Sequence, residues 1–295
     1  MLVSTEPGGL GNRIKSWVAA RRLDADARVF WPQTANMPAS FSDLFADDCG
    51  VDAIPDAADE YCSWQLAILP EDRAHLPERF AEVVSASSPV TRKLRRFLAA
   101  SGGEAEQRFR YLVLPKRFSK RNAGPDGRVI DFEYGRIPDY FRNIYAPLFA
   151  SVTVQPVIQQ RVDGWVQQHL DTDVTGLQVR TWRDSPRRHR KHYRPAVRRL
   201  LHLIEALPDT SRFFVVSDDD EVVPWLEQQL GVGRVLGYAR ATARNRSWET
   251  TEGMIEDLID MLLLSRTQRM FASYLSTFSE TAWWLGGAKA RVEVF

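Results

Sequence analysis

The second half of the chain alternates short apolar runs with longer segments of helical periodicity. Apolar residues recur every three or four positions in four segments, residues 193–207, 220–230, 251–266 and 276–287. The runs between them are typical of buried strands and cover residues 175–181, 212–218, 232–238, 269–273 and 290–295. Strands that alternate with helices predict a parallel, doubly wound sheet with helices on both faces.

The first half is less regular but indicates a second α/β unit. Its predicted elements are a helix at about residues 12–23 and strands at 2–6, 27–31 and 110–115. A helix followed by an exposed loop is predicted over residues 87–110. Helices over 135–149 and 155–170 place a boundary near residue 150, which divides the chain into domains 1–150 and 151–295.

Composition adds one local feature to this picture. The chain has 295 residues, of which 44% are hydrophobic and 26% charged, and these are globular values. A net charge of +1 gives no reason to expect nucleic acid as a general partner. Charge is nevertheless uneven, because residues 180–199 carry nine basic side chains and one acid, Asp184. This segment predicts either a local anion site or a solvated basic face.

The two cysteines and the hydropathy pattern bear on the compartment. Cys49 and Cys62 lack CxxC spacing and a histidine-rich neighbourhood, so neither a zinc site nor a disulfide framework is predicted. No run approaches the roughly 18 apolar residues of a membrane helix, and no signal-peptide pattern opens the chain. The expectation is a cytoplasmic protein without a membrane span.

Polar and glycine residues are concentrated where predicted strands end. The stretch Pro7–Trp17, PGGLGNRIKSW, follows the first strand, and its bare backbone would suit a phosphate at a helix N-terminus. It matches neither standard phosphate loop, so a plain strand-to-helix turn is the alternative. Arg180 ends one predicted strand of the second half and Ser217, Asp218 and Asp219 end the next, at the edge where doubly wound sheets bind ligands.

Four motifs stand in an order that resembles the NodZ and α-1,6-fucosyltransferase family, with protein O-fucosyltransferases as more distant relatives. They are PGGLGNR, LQVRTWRD, FFVVSDDDEV and MIEDLIDMLLLSRTQRMFASYLSTFS. The resemblance is strongest over residues 174–285 and weak over 31–148. It implies two Rossmann-like domains that face a cleft, a GT-B-like fold, with GDP-fucose held by the C-terminal domain and the acceptor side in the N-terminal one. It also implies inverting, metal-independent transfer to a sugar or protein hydroxyl, without a cofactor.

The resemblance also implies roles for individual residues. Arg180 takes the place of the arginine that contacts the donor pyrophosphate, where a guanidinium can neutralise the leaving diphosphate. Asp218 and Asp219 match carboxylates that read guanine, although either could cap the following helix, and Ser276 could likewise be an ordinary N-cap. The predicted donor-binding residues are Gly9, Gly11, Asn12, Arg13, Arg183, Asp218, Asp219, Asp260, Ser273, Ser276 and Thr277.

The chain departs from the family pattern around Arg180, at the end of the first predicted strand of the second half. The family's histidine is Gln178 here and its second arginine is Thr181, with Arg183 close enough to substitute. The following loop, DSPRRHRKH, contains no glutamate. Asp184 is therefore the first candidate for the catalytic base, and the others are Glu6, His189 and His192.

These departures keep other functions open. The first alternative is a non-catalytic nucleotide- or anion-binding relative of the same fold, and the second is a transferase for another nucleotide sugar. Nucleic-acid binding through residues 180–199 is a weaker third. Among the tryptophans, Trp182 is the candidate for a ligand contact, whereas helical spacing predicts core positions for Trp17, Trp165, Trp225, Trp283 and Trp284.

Overall fold

The computed structural model describes residues 2–4, 6, 8–53, 60–62, 67–68, 70–75, 112–113, 137–170, 173–274 and 276–295. The helix and loop predicted over residues 87–110 lie outside the described residues. Each of the other predicted elements is represented at least in part.

The N-terminal unit contains a small parallel sheet. Its elements are β1 (Leu2–Ser4), α1 (Leu10–Leu23), β2 (Arg28–Phe30), α2 (Phe41–Leu44), β3 (Gly50–Val51) and β4 (Glu60–Cys62). The strand order is β3-β2-β1-β4, and all three pairings are parallel. Strands β5 (Ala67–Ile68) and β6 (Leu112–Val113) form a separate antiparallel pair, with a 3-10 segment at Pro70–His75. Helices α3 (Asp139–Ala150) and α4 (Pro156–His169) then lead to the second unit.

The C-terminal unit contains the predicted doubly wound sheet. Its strands are β7 (Val174–Val179), β8 (Arg212–Ser217), β9 (Val235–Leu236), β10 (Arg269–Ala272) and β11 (Arg291–Val294). They are all parallel, in the order β11-β10-β7-β8-β9. The strand predicted over 232–238 is shorter than expected, because Val232–Arg234 forms a 3-10 turn instead.

Helices connect these strands on both faces of the sheet. They are α5 (Pro186–Arg188), a π-helical turn (His189–Tyr193), α6 (Arg194–Glu205), α7 (Val222–Leu230), a 3-10 segment (Arg244–Glu249), α8 (Thr251–Ser265) and α9 (Thr277–Leu285). From β7 the chain builds outward through β8 and β9, then crosses back to place β10 on the other side of β7. The switch point of the sheet is therefore between β7 and β10, and ligand crevices of such sheets lie there, beyond the carboxyl ends of the strands.

One hydrophobic core joins the two sheets. It contains Trp17 and Trp31 of the N-terminal unit, and Trp284 of α9, whose ring stacks on Phe149 of α3 with 5.3 Å between centroids. Trp17, Trp283 and Trp284 are buried, as helical spacing predicts, and Trp165 and Trp225 are half-buried. Burial of these large rings fixes α1, α3 and α9 against one another.

Candidate functional site

A cavity of about 650 Å³ opens at the carboxyl edge of the C-terminal sheet. It lies beyond the carboxyl ends of β7 and β8, beside the switch point, and a doubly wound sheet leaves its crevice at this edge. Its wall is formed by the loops after β7 and β8, the Arg244–Glu249 segment, α8 and the first turn of α9. The lining residues include Gln178, Arg180, Arg183, Asp184, Asp218, Arg244, Asp257, Asp260, Phe278 and, from the N-terminal unit, Asn36.

Arg180 follows β7 directly and is held from both neighbouring strands. Its backbone N–H donates to Ser273 Oγ at 2.8 Å, and Ser273 Oγ in turn donates to the Gln178 carbonyl at 3.0 Å. Its Nε pairs with Asp218 at 3.1 Å, and its guanidinium lies 4.8 Å from the centre of the Trp182 ring. The side chain is 39% exposed and lines the cavity.

The two predicted carboxylates after β8 both bind arginines. Asp218 pairs with Arg180 and accepts the Thr181 N–H at 2.7 Å, which ties the loop after β7 to the loop after β8. Asp219 is buried, pairs with Arg183 and accepts the Glu221 N–H at 3.1 Å. Helix α7 begins at Val222, so Asp219 closes the turn before the helix and no side chain caps it.

A buried cluster of charges forms the floor of the cavity. Arg240 contacts three carboxylates, Glu256 at 3.3 Å, Asp257 at 2.8 Å and Asp260 at 3.0 Å, and Asp260 also pairs with Arg244. Sequence reasoning missed both arginines. The available signal was the set of acids at positions 256, 257 and 260 in a helix that is otherwise strongly apolar, because buried acids need cationic partners.

Burial has the largest effect on the pKa values of the carboxyl groups in this floor. It raises the pKa of Asp257 to about 6 and also raises the pKa of Asp260, although Arg240 and Arg244 pull in the opposite direction. Burial opposes ionisation of Glu256 too, but hydrogen bonds from the Thr242 side chain and the N–H groups of Ala241 and Thr242 leave its pKa lowered.

Two buried acceptor atoms of the cavity wall have no hydrogen-bond donor within the described part of the chain. They are Asp260 Oδ1 and Gln178 Oε1. Both residues are less than 5% exposed, and both line the cavity. Since buried acceptors are costly when unpaired, these atoms indicate where a ligand with N–H or O–H groups would bind.

The glycine-rich stretch has a different relation to the site. Gly9 precedes the first turn of α1, and Gly11 faces α9, where an added Cβ would lie 2.9 Å from Thr281 Oγ1 and 3.0 Å from the Thr277 carbonyl oxygen. Thr281 Oγ1 donates to the Gly11 carbonyl at 3.1 Å. The bare backbone at Gly11 therefore permits the close approach of two helices, and it places the N-termini of α1 and α9 side by side.

Arg13 is buried and braces this stretch. Its Nε donates to the Gly8 carbonyl at 3.0 Å and its Nη1 to the Pro32 carbonyl at 3.1 Å, while burial lowers its pKa to about 10. The cavity wall includes none of the predicted residues Gly9, Gly11, Asn12 and Arg13.

Asn36 is the contribution of the N-terminal unit to this wall. It lies at the tip of a hairpin closed by two hydrogen bonds between Thr34 and Met37, of 2.9 and 3.0 Å. Buried Met37 and the Trp31 indole N–H, which donates to the Ala39 carbonyl at 3.1 Å, fix the base of the hairpin.

The residues predicted around β10 sit behind the cavity. Ser273 holds Arg180, as described, and Ser276 is the N-cap of α9, accepting the Ser279 N–H at 3.3 Å. Thr277 is the first residue of α9, and its buried Oγ1 has no partner among the described residues.

Of the four candidate bases, Asp184 lines the cavity and is exposed. His189 Nδ1 lies 2.8 Å from the Thr181 carbonyl and therefore carries its proton there. The His192 ring lies 6.1 Å from the Trp182 ring, and Glu6 accepts the Gly8 N–H at 2.8 Å.

The described residues offer neither a metal site nor a membrane-spanning helix. They contain no group of three or more His, Cys, Asp or Glu side chains arranged to hold a metal ion. They also contain no helix with the length and apolar character needed to cross a membrane.

Comparison with known proteins agrees on the fold. No family model matches the chain, and no curated protein matches it. Among solved structures, fucosyltransferase NodZ from Bradyrhizobium is similar over 95% of this chain and 91% of the NodZ chain, with a TM-score of 0.50 and 16% sequence identity. NodZ α-1,6-fucosyltransferase soaked with GDP-fucose matches 96% and 92%, with a TM-score of 0.51 and 15% identity. The motif order in the sequence and the strand order in the structure thus lead to one conclusion: the chain has the Rossmann-like, GT-B-type fold of NodZ.

Proposed function

We propose that this protein is a glycosyltransferase that binds GDP-fucose in the cavity at the switch point and transfers fucose to a sugar or protein hydroxyl. The observation that carries the proposal is Arg180, which is fixed at the carboxyl end of β7 and has a partly exposed side chain that lines the cavity. The fold adds support, because NodZ has been soaked with GDP-fucose and co-crystallised with GDP.

The leaving diphosphate would be stabilised by arginines. Asp218 contacts Arg180 at Nε, and the partly exposed guanidinium would present its terminal nitrogens for a bidentate contact with phosphate oxygens. Arg183 lines the same cavity and is paired through its Nε with Asp219. The N-terminus of α9 adds a partial positive charge next to this wall. Fixed cations of this kind stabilise the charge that develops on the leaving group, so the proposed reaction needs no metal ion.

The nucleobase would be read by the floor of the cavity. Guanine presents two neighbouring donors, N1–H and the N2 amino group, which suit carboxylate or amide oxygens. Asp218 and Asp219 each pair with an arginine and accept a backbone N–H. Asp260 binds its two arginines through Oδ2, so that Oδ1, like Gln178 Oε1, is buried and without a donor among the described residues. Asp260 is therefore the proposed guanine acceptor.

Asp184 is the proposed general base. It lies in the loop after Arg180, lines the cavity and is exposed, so it can exchange a proton with solvent after taking one from the acceptor hydroxyl. Attack from the face opposite the diphosphate would invert the anomeric carbon, and the oxocarbenium-like transition state makes leaving-group stabilisation by Arg180 the larger contribution.

Thermal unfolding with GDP, UDP, dTDP and ADP, each with and without EDTA, tests the donor. We expect GDP alone to raise the unfolding midpoint, equally in both buffers. Slow release of fucose from GDP-fucose by the purified protein, lost in Asp184→Asn and Arg180→Gln, then tests the chemistry. Binding of GDP without any turnover would favour the alternative of a non-catalytic nucleotide-binding relative, which the substitution of Gln178 for the family histidine motivates.

A further inference from the structure

Asn36 is the residue that the described part of the N-terminal unit contributes to the wall of the cavity. It is exposed and stands with Ala35 at the tip of the hairpin closed between Thr34 and Met37. Its side-chain amide makes no hydrogen bond with a described residue. The amide is therefore free, within this part of the chain, to contact a ligand in the cavity.

The conformation of the turn does not explain an asparagine at this position. Two-residue hairpin loops favour Asn where φ is positive, because Asn tolerates the left-handed region better than most residues. The described non-glycine residues with a positive φ are Trp182, at 58°, and Ala288, at 57°, so the Asn36 backbone is not left-handed. A side-chain bond to the neighbouring backbone is the other common role of Asn in turns, and the described residues show none for Asn36.

The N-terminal unit holds this hairpin in place. The Pro32 carbonyl accepts Arg13 Nη1–H at 3.1 Å, and Gln33 Nε2 donates to the Pro38 carbonyl at 2.6 Å. The Arg13 guanidinium also lies 4.9 Å from the centre of the Trp31 ring, which is buried. A side chain at the tip of a braced turn is presented to a ligand at a defined place, as orientation of that ligand requires.

The hairpin is connected through α1 to the end of the cavity where the diphosphate is proposed to bind. Arg13, which braces the hairpin, lies two residues after Gly11, whose backbone packs on the first turn of α9. Phe278, in that turn, lines the cavity together with Asn36 and Arg180. In a nucleotide sugar the sugar is attached to the diphosphate, so Asn36 would meet the sugar rather than the base.

The chemistry of the wall fits a sugar at this end. A sugar ring carries adjacent hydroxyls that both donate and accept, and a primary amide offers two N–H donors and an acceptor oxygen in one plane. Two hydroxyls of the wall are already engaged, because Ser217 Oγ donates to the Val179 carbonyl and Ser247 Oγ to Asp257. The half-buried Phe278 ring adds apolar surface, which suits the carbon face of a sugar.

From these features we infer that Asn36 binds hydroxyls of the sugar in the nucleotide-sugar donor and helps to determine which sugar the site accepts. The inference rests on the proposed function, because it names a residue that selects the donor of that same reaction. The C-terminal unit would hold the nucleotide and the N-terminal unit the sugar, so GDP without a sugar would not contact Asn36.

Calorimetric titrations with GDP and with GDP-fucose separate the contribution of the sugar from that of the nucleotide. The quantity compared is the ratio of the two dissociation constants. The variant is Asn36→Ala, which removes the amide from an exposed turn and keeps the backbone hydrogen bonds between Thr34 and Met37. The matched control is Asn245→Ala, an exposed asparagine in the wall of the same cavity but carried by the C-terminal unit.

We expect GDP affinity to be the same in Asn36→Ala and wild type, and GDP-fucose affinity to fall about three- to tenfold, the effect of losing one or two neutral hydrogen bonds. Asn245→Ala should keep the wild-type ratio. An unchanged ratio in Asn36→Ala would overturn the inference, as would an equal fall of both affinities or the same change of ratio in Asn245→Ala.

GDP-mannose, whose hydroxyls are arranged differently, tests the selection of the sugar. The preference of the wild type for GDP-fucose over GDP-mannose should shrink in Asn36→Ala, and an unchanged preference would contradict a role in selection. Failure of the proposed function gives a different result. If the wild type bound neither GDP nor GDP-fucose, the donor proposal would fall together with this inference, whereas GDP binding with an unchanged ratio in Asn36→Ala would overturn this inference alone.

Discussion

Replacing Gly253 by alanine should destabilise the protein although alanine is the better helix former. Gly253 lies in the first turn of α8, and an added Cβ would lie 2.2 Å from the Ser247 carbonyl oxygen and 2.7 Å from Ser247 Cα. Both contacts are with backbone, so the Arg244–Glu249 segment must shift to admit the methyl group. Overpacking of this kind costs about 1–3 kcal/mol, against a gain of up to about 1 kcal/mol from helix propensity. The expected net change is a loss of up to about 3 kcal/mol.

Gly164→Ala provides the matched control. Gly164 lies inside α4, and nothing is within 4 Å of an added Cβ, so the same substitution should stabilise by about 0.5–1 kcal/mol. Urea unfolding followed by tryptophan fluorescence measures both variants. Gly253→Ala should also weaken GDP binding, because Ser247 donates to Asp257 at 2.8 Å in the cavity wall. If Gly253→Ala were stabilised as much as Gly164→Ala, the close packing of α8 on this segment would be refuted.

Three further changes test other parts of the structure. The pKa of Asp257 is raised from 3.8 to about 6, so the native state holds its proton more tightly than the unfolded chain. Wild type should therefore lose stability relative to Asp257→Asn as the pH rises from about 4 to 6, and a constant difference in unfolding free energy would contradict this. Lys15 and Glu280 form a buried ion pair between α1 and α9, so Lys15→Met should lower the free energy of unfolding in urea by about 3–5 kcal/mol. The double variant Lys15→Met/Glu280→Leu should recover most of this loss, and no recovery would argue against the pair. Trp182→Gly removes the cost of the left-handed backbone, so the thermal unfolding midpoint should be unchanged or higher. Loss of the ring beside Arg180 should weaken GDP binding about two- to fivefold, and unchanged GDP affinity would exclude a role for the ring.

The C-terminal sheet and the edge that carries the cavity were predictable because parallel strands buried between helices give short, continuous apolar runs in the sequence. The apolar runs that became β7, β8, β10 and β11 are short and alternate with amphipathic helices, which favours parallel strands, and polar residues at the ends of such strands gather at one edge. Arg180 and Asp218 were found in this way, whereas Asp260, on α8, was assigned from the resemblance to the fucosyltransferases; all three line the cavity. The small sheet of short strands in the N-terminal unit gave a much weaker pattern.

The rest of the site depends on pairings between distant segments. Arg240 and Arg244 lie in a polar connection without periodicity, and only its folding over α8 brings them to Asp257 and Asp260. Asn36 reaches the cavity through a hairpin whose position is set by packing around Met37. Local sequence carries little information on such contacts.

The glycine-rich stretch shows the same limit. Bare backbone is required wherever something approaches closely, and the sequence does not say what approaches. At Gly11 the neighbour is Thr281 of α9, a helix 270 residues along the chain. Whether Gly9 and Asn12 also contact a donor stays a prediction.

Calorimetric titration of GDP into wild type and Arg180→Gln, with EDTA in the cell, tests the central claim most directly. The exposed-arginine variant Arg291→Gln serves as the control. Loss of a charge-assisted bidentate contact is worth about 1.5–3 kcal/mol, so GDP affinity should fall at least about tenfold in Arg180→Gln and stay unchanged in the control. Equal GDP affinity in Arg180→Gln and wild type, or binding of GDP to the wild type only when a divalent metal is restored, would contradict the account.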